Sequence, residues 1–276
     1  MAYLPALQGV VMYGGLVCPG WVCAPVQETW LWDGSAWERL RPASSPPPLH
    51  AAAMTYDPVR KELVLFGGET CTATDCSFSS ETWTFDGSNW EKQNPLVSPI
   101  ASAASAIAFD PASSRVLLSG GCAQDRCPGV VGTWSWDGTN WELEDLLTPL
   151  PRVGSQMATN PGGGIVLFGG QDVQGSTPAE TWIWNESGWT QRTPASSPPG
   201  RAYGGATYDP VRNEVLLLAG SSITCALSCT GGYVKDLWAW NGQTWTQRAM
   251  GEEMRVGQSH SIAYDAARDE VVRFGG

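Results

Sequence analysis

The stretch Glu28-Thr29-Trp30-Leu31-Trp32-Asp33-Gly34-Ser35-Ala36-Trp37 decides the fold, because it comes back. Its copies are Glu81-Thr82-Trp83-Thr84-Phe85-Asp86-Gly87-Ser88-Asn89-Trp90, Gly132-Thr133-Trp134-Ser135-Trp136-Asp137-Gly138-Thr139-Asn140-Trp141, Glu180-Thr181-Trp182-Ile183-Trp184-Asn185-Glu186-Ser187-Gly188-Trp189 and Asp236-Leu237-Trp238-Ala239-Trp240-Asn241-Gly242-Gln243-Thr244-Trp245. Of 15 tryptophans only Trp21 lies outside these five stretches, so the indoles are packing elements rather than scattered surface residues. Within the first copy, two-residue alternation puts Trp30 and Trp32 on one face of a strand and Thr29 and Leu31 on the other. Asp33-Gly34 is then a hairpin turn signal, and Trp37 opens the next strand.

Upstream of each copy, an apolar run closes on a glycine pair: Gly14-Gly15, Gly67-Gly68, Gly120-Gly121, Gly169-Gly170 and finally Gly275-Gly276, with Ala219-Gly220 as a degenerate member. The run Leu63-Val64-Leu65-Phe66 is short and continuously apolar, as befits a strand buried on both faces. Before it stands a run of small apolar residues, Ala51 to Tyr56, ending in Asp57-Pro58, a type I turn signal that recurs at Asp110-Pro111 and Asp209-Pro210. Pro-rich connectors such as Pro42 to Pro48 and Pro194 to Pro199 separate the units, since proline cannot extend a sheet.

Four antiparallel strands in a unit of about 50 residues, repeated along the chain, predict an all-β fold: a β-propeller whose small sheets bury their faces against one another. The paired glycine after an apolar strand, followed by spaced aromatics ending in Trp, resembles the kelch-repeat family across essentially the whole chain, in the manner of secreted bacterial kelch proteins and the central domain of galactose oxidase. That resemblance implies fold and little about function, because kelch propellers include protein-binding scaffolds and a few enzymes. Residues 1–276 read as a single propeller domain of five complete kelch-like units plus a terminal half unit, with the expectation that it is an excerpt of a propeller of six or more blades.

Eight cysteines fall in four close pairs, Cys18/Cys23, Cys71/Cys76, Cys122/Cys127 and Cys225/Cys229, each in the loop just after a glycine pair. Even number, short spacing and equivalent placement predict four local disulfides and an extracytoplasmic protein, whether secreted, periplasmic or on the cell surface. A shared zinc site is the competing reading, but the C-x4-C and C-x3-C spacings would need neighbouring loops to converge. Charged residues make up only 16% of the chain and the formal net charge is −11, which disfavours nucleic acid or an anionic membrane as partner. No apolar run is long enough to cross a bilayer, so no membrane insertion is expected, and Met1-Ala2-Tyr3-Leu4-Pro5 does not have the pattern of a signal peptide.

In a four-stranded antiparallel blade, the loops after strands one and three emerge on one face and those after two and four on the other. The first set is short and uniform here; the second holds the Cys-clipped loops and the Pro-rich connectors. Variable loops on a rigid scaffold are where binding residues sit. On that face Arg152, Arg201 and Arg255 precede the first strands of three units, where other units carry Leu49 and Ile100, and they are candidates to grip a carboxylate or sugar acid.

Catalytic and metal residues are not expected, and no cofactor is called for: His50 and His260 are the only histidines, and no nucleophile elbow, zinc-binding helix or phosphate loop is present. The copper site that the kelch resemblance brings to mind needs two histidines, two tyrosines and a Tyr-Cys crosslink, for which paired cysteines leave no thiol. The reading is a secreted or cell-surface scaffold that recognises a protein or glycan through its variable loops, more binding module than enzyme. The alternative is a carbohydrate-active enzyme, a lyase, epimerase or oxidase, working at the channel mouth.

Overall fold

The computed structural model describes residues 1–19, 23–72, 75–123, 127–129, 131–186, 188–222, 224–225, 229–249 and 259–276, with backbone only at 224–225 and 229–230. Its strands form five four-stranded antiparallel sheets in which order in space follows order in sequence. Blade 2 runs from the inner strand Ala53–Asp57 through Glu62–Phe66 and Thr82–Phe85 to the outer strand Trp90–Lys92. Blades 1, 3, 4 and 5 repeat it, with inner strands Ala2–Leu4, Ala106–Asp110, Gln156–Thr159 and Gly205–Asp209. A sixth sheet has two strands, Ser261–Asp265 and Glu270–Phe274. Each inner strand packs against the inner strands of its neighbours, and Ser261–Asp265 packs against both Gly205–Asp209 and Ala2–Leu4, so the six close a ring.

The second strands have apolar middles because both of their faces lie in seams between blades. Leu63 and Leu65 join Leu4, Val11 and Leu31 of blade 1, while the alternate residues Val64 and Phe66 join Val116, Leu118 and Trp136 of blade 3. Ile165 and Leu167 likewise face blade 3, and Val166 and Phe168 face blade 5. Each such side chain contributes about 1.5–3 kcal/mol by leaving water, and a blade by itself could hide neither face. The closing seam follows the same plan: Val10 packs with Ala263 and Val272, and the rings of Trp37 and Phe274 meet edge to face at 5.4 Å.

The repeated decapeptide owes its composition to these seams. Its last Trp donates its indole N–H across the seam to the motif Thr of the preceding blade: Trp90 to Thr29 at 3.0 Å, Trp141 to Thr82 at 2.8 Å, Trp189 to Thr133 at 2.8 Å and Trp245 to Thr181 at 2.9 Å. Its first acid takes the N–H of the Trp two residues on, as Glu81 does from Trp83 and Asp236 from Trp238, both at 2.8 Å. Blade 3 has Gly132 in that place, and Trp134 turns to the Val131 carbonyl at 2.7 Å.

The glycine pair serves the same end. The N–H of the second glycine donates to a carbonyl that leads into the next blade: Gly15 to Leu49, Gly68 to Ser102, Gly121 to Arg152 and Gly170 to Arg201, at 2.7–2.8 Å. A Cβ on the first glycine would stand closer than 3.0 Å to that same carbonyl oxygen in all four cases. These bonds also correct one equivalence expected from sequence. The blade 3 counterpart of Leu49, Arg152 and Arg201 is Ser102, two residues beyond Ile100, because Ser102 stands as far past Trp90 as Leu49 does past Trp37.

Candidate ligand-binding face

The two ends of the ring differ in how firmly they are tied. On the hairpin end, the inner strands of blades 2, 3 and 5 and of the two-stranded sheet finish in a buried Asp whose carboxylate organises the turn: Asp57 accepts from the N–H of Val59 at 2.9 Å and of Arg60 at 3.1 Å. Arg60 pairs with Asp57 at 2.7 Å and reaches over to the Asp137 carbonyl of blade 3. Arg268 repeats this at the closing seam, pairing with Asp265 at 2.8 Å and donating to the carbonyls of Gln8 and Asp33. The Asp-Gly turns therefore need glycine twice over. Gly34 and Gly138 have φ of +95° and +98°, and a Cβ on either would collide with the arriving guanidinium. In the same turns Asp33 accepts from the N–H groups of Ala36 and Ser35 and from the Ser35 hydroxyl, which holds its carboxyl down to about 2.

On the loop end the channel mouth is rimmed by backbone. Ala51, Ala104, Gly154, Tyr203 and Ser259 all adopt left-handed conformations, with φ between 52° and 64°. Each of the last four donates its N–H to the carbonyl of the one before it, at 2.8–3.1 Å. Four of the five are non-glycine residues, and left-handed backbone costs an L-residue about 1–2 kcal/mol, so the belt is held by the blades that bracket it. Sequence reading passed over this belt, although its phase is constant: each of the first four members lies two residues beyond Leu49, Ser102, Arg152 or Arg201. Tyr203 alone brings a large side chain to the rim. Its ring covers Gly154, where a Cβ would come within 2.6 Å, and burial pushes its hydroxyl pKa up.

The candidate arginines lie below that rim. Arg201 is wholly buried, with its Nε on the Pro199 carbonyl at 3.0 Å, Nη1 on the Ala219 carbonyl at 3.2 Å, and both terminal nitrogens on the Asp236 carboxylate. A guanidinium so occupied braces its own blade and offers a ligand nothing. Arg152 is 6% exposed and makes the matching bonds to the Gly169 carbonyl and to Glu180, but its Nε has no partner. Arg255 lies outside the described residues.

Among the clipped loops, Cys18–Cys23, Cys71–Cys76 and Cys122–Cys127 are disulfides with Cα separations of 4.0, 4.1 and 4.3 Å. Two of them close small hairpins, Leu16–Val17 with Ala24–Pro25 and Glu69–Cys71 with Cys76–Phe78. Cys225 and Cys229 face each other across a similar hairpin, and their side chains lie outside what the structure describes. Blade 4, which has no cysteines, closes its loop with Asp172, whose side chain accepts from the N–H of Gln174 at 3.0 Å and of Ser176 at 2.8 Å. Glu69 stands beside the Cys71–Cys76 sulfurs and pairs with His50 at 3.1 Å, but a disulfide supplies no thiolate to a metal. His260 is buried with Nε2 against the Leu218 carbonyl at 3.2 Å.

Radial four-stranded blades around a channel define the chain as a β-propeller. No protein-family model matches it, and a comparison with curated proteins finds no match. Among solved structures it is similar to "Structure of YjhT", also a β-propeller, with a TM-score of 0.69 and 14% identity over 92% of this chain and 87% of that one. At that identity the likeness shows the fold alone. Three disulfides fit an oxidising, extracytoplasmic environment, and among the described residues no helix is long and apolar enough to cross a membrane.

Proposed function

We propose that this is a secreted or surface-attached recognition module of the kelch type, which binds a protein or glycan partner through its loop end. The observation that carries the reading is the contrast between the two ends. Four of the six inner hairpin-end turns are fixed alike by a buried aspartate, and three of these carry an arginine that crosses the seam, Arg60, Arg212 and Arg268, so variation there is limited and the surface has little to recognise with. Loop-end segments differ from blade to blade in length, composition and closure, yet stand on a rigid backbone belt, which is the arrangement binding loops use. The His50–Glu69 pair beside the mouth supports the second reading, a carbohydrate-active enzyme, because an imidazole and a carboxylate in contact can move a proton.

The test is a glycan array and a panel of extracellular proteins probed with wild type, with loop-end variants such as Tyr203→Ala, and with hairpin-end variants such as Val59→Ala. Loss of binding confined to loop-end variants is the expected result. Loss confined to hairpin-end variants overturns the reading. Turnover of a bound sugar that His50→Ala abolishes would establish the enzyme instead.

A further inference from the structure

Blade 3 breaks the polar rule of the outer strands. Elsewhere these strands show water such residues as Glu38 and Arg39, Glu91 and Lys92, Gln191 and Arg192, or Gln247 and Arg248. Blade 3 has Trp141–Asp145 followed by a connector, and along them Leu143, Leu146, Leu147 and Leu150 are 44–65% exposed. The blade 2 connector also exposes apolar residues, Leu96, Val97 and Ile100, at 49–94%, so exposure by itself does not single out blade 3; the arginine beneath its leucines does.

The same connector leaves a bond unmade. Arg152 and Arg201 occupy equivalent positions and share two bonds: Nη1 goes to the carbonyl of Gly169 or Ala219, and the far nitrogen to Glu180 or Asp236, with Arg201 adding a second bond from Nη1 to Asp236. They differ at Nε. In Arg201 it donates to the carbonyl of Pro199, two residues upstream in the connector. In Arg152 it is buried and unpartnered, beside a cavity of about 10 Å³ lined by Gly120, Gly132, Leu146, Leu150, Pro151 and Arg152 itself. That volume is about the room one water-sized oxygen takes. The vacant acceptor position thus opens directly beneath the exposed leucines.

We infer that this notch on blade 3 docks an extended apolar segment of a partner protein, one of whose main-chain carbonyls fills the Arg152 Nε as Pro199 fills that of Arg201. The inference rests on the reading of the loop end as the recognition surface and names the partner class for one part of it. The chain itself supplies the template for the occupant, since what satisfies the sister arginine is the peptide carbonyl of a Pro-Pro stretch. Charge narrows the choice. Among the described residues Glu142, Glu144 and Asp145 flank the leucines with Arg115 alone to balance them, so a basic flank on the partner is favoured. A second copy of this chain, carrying −11, an anionic membrane and a fatty carboxylate are all disfavoured by the same charges.

The probe is the capped peptide acetyl-Leu-Pro-Pro-Leu-Lys-amide, titrated into isotopically labelled protein while the arginine side-chain N–H signals and leucine methyl signals are followed. The expected result is a saturable downfield shift of the Arg152 Nε–H, with an unmoved Arg201 Nε–H and shifts among the methyls of Leu143, Leu146 and Leu150. Arg152→Lys keeps a charge for Glu180 but has no Nε; it should weaken binding at least tenfold, as should the surface double variant Leu146→Ser/Leu150→Ser. A glutamate in place of the peptide's lysine should weaken it further. Absence of any Arg152 shift at millimolar peptide, or equal shifts at Arg201, overturns the inference, as does an Nε–H that stays on an unexchanged internal water while peptide binds elsewhere. A glycan or protein that binds the loop end without disturbing Arg152 would sink this site and leave the general reading standing.

Discussion

Replacing Gly67 with alanine isolates what holds one blade to the next. Gly67 has φ of +69°, a conformation that costs alanine about 1–2 kcal/mol. The new methyl would also come closer than 3.0 Å to the Ser102 carbonyl oxygen, so the entry to blade 3 must move away. That movement stretches the 2.8 Å bond from the buried N–H of Gly68 to the same oxygen, and an orphaned buried donor costs about 1–3 kcal/mol. The two effects together predict a loss of about 2–5 kcal/mol. Gly163 is the control, because its φ of +100° is at least as hard on alanine while a Cβ there meets nothing within 4 Å. Urea denaturation of Gly67→Ala and Gly163→Ala, compared by midpoint at a common slope, measures the difference. The seam accounts for the excess in Gly67→Ala. Equal losses from the two substitutions would show that backbone conformation alone explains the glycine pair, and the account of cross-seam docking would fail.

Thr82→Val keeps the shape of the side chain but leaves the Trp141 indole N–H with no acceptor in a buried seam, predicting a loss of about 1–3 kcal/mol by the same urea measurement. Arg268→Ala removes the strap from the last blade to Gln8 and Asp33, so amide hydrogen exchange should quicken in Gly9–Tyr13 and Glu270–Phe274 while blades 3 and 4 keep their protection. Cys71→Ala/Cys76→Ala opens a loop for which chain entropy allows only about 2 kcal/mol. Proteolysis within that loop should rise sharply, and the melting temperature should fall by only a few degrees. Acid should find the Asp-Gly turns: Asp33 is held down from 3.8 to about 2 by the N–H groups of Ala36 and Ser35, and Asp86 is lowered by those of Asn89 and Ser88. Stability from a depressed carboxyl is complete above the ordinary range and is lost as pH falls through the folded value. The urea midpoint should therefore fall between about pH 4 and 2, and less steeply in Asp33→Asn/Asp86→Asn, since Asn241 shows an amide oxygen accepting the same two turn N–H groups.

What the sequence made legible is whatever the seams repeat. Glycine pairs, motif threonines and closing tryptophans each serve a contact made again at the next seam, so selection for one geometry wrote one residue at one phase, and the four-stranded unit followed from it. The fate of the arginines was hidden for the opposite reason. Arg152 and Arg201 look alike in sequence, and the acids that draw them inward, Glu180 and Asp236, stand 28 and 35 residues away. Ile100 resembles Leu49 in character, but the Gly68 hydrogen bond selects Ser102, which stands as far past Trp90 as Leu49 does past Trp37. Nothing periodic announces the unfilled Nε of Arg152 either, since it arises from the path of a single connector.

The distribution of constraint also explains how such a ring can specialise. Much of the repeated set is spent on seams: the closing Trp on the neighbouring Thr, the second glycine's N–H on the neighbouring carbonyl, and Arg60 and Arg268 on the next turn. Because each blade is gripped from both sides, a change in a loop that touches no seam leaves the neighbouring contacts intact, and the cost of variation stays local. Blade 4 can close its loop with Asp172 where blades 1, 2 and 3 use a disulfide, and blade 3 can carry leucines into water, without altering the packing of Val116 or Ile165. The exposed leucines would weaken a scaffold whose stability ran through them. In this ring they do not bear on the seams, any more than Leu96, Val97 and Ile100 of the blade 2 connector do, which leaves both sets free to serve contacts outside the molecule.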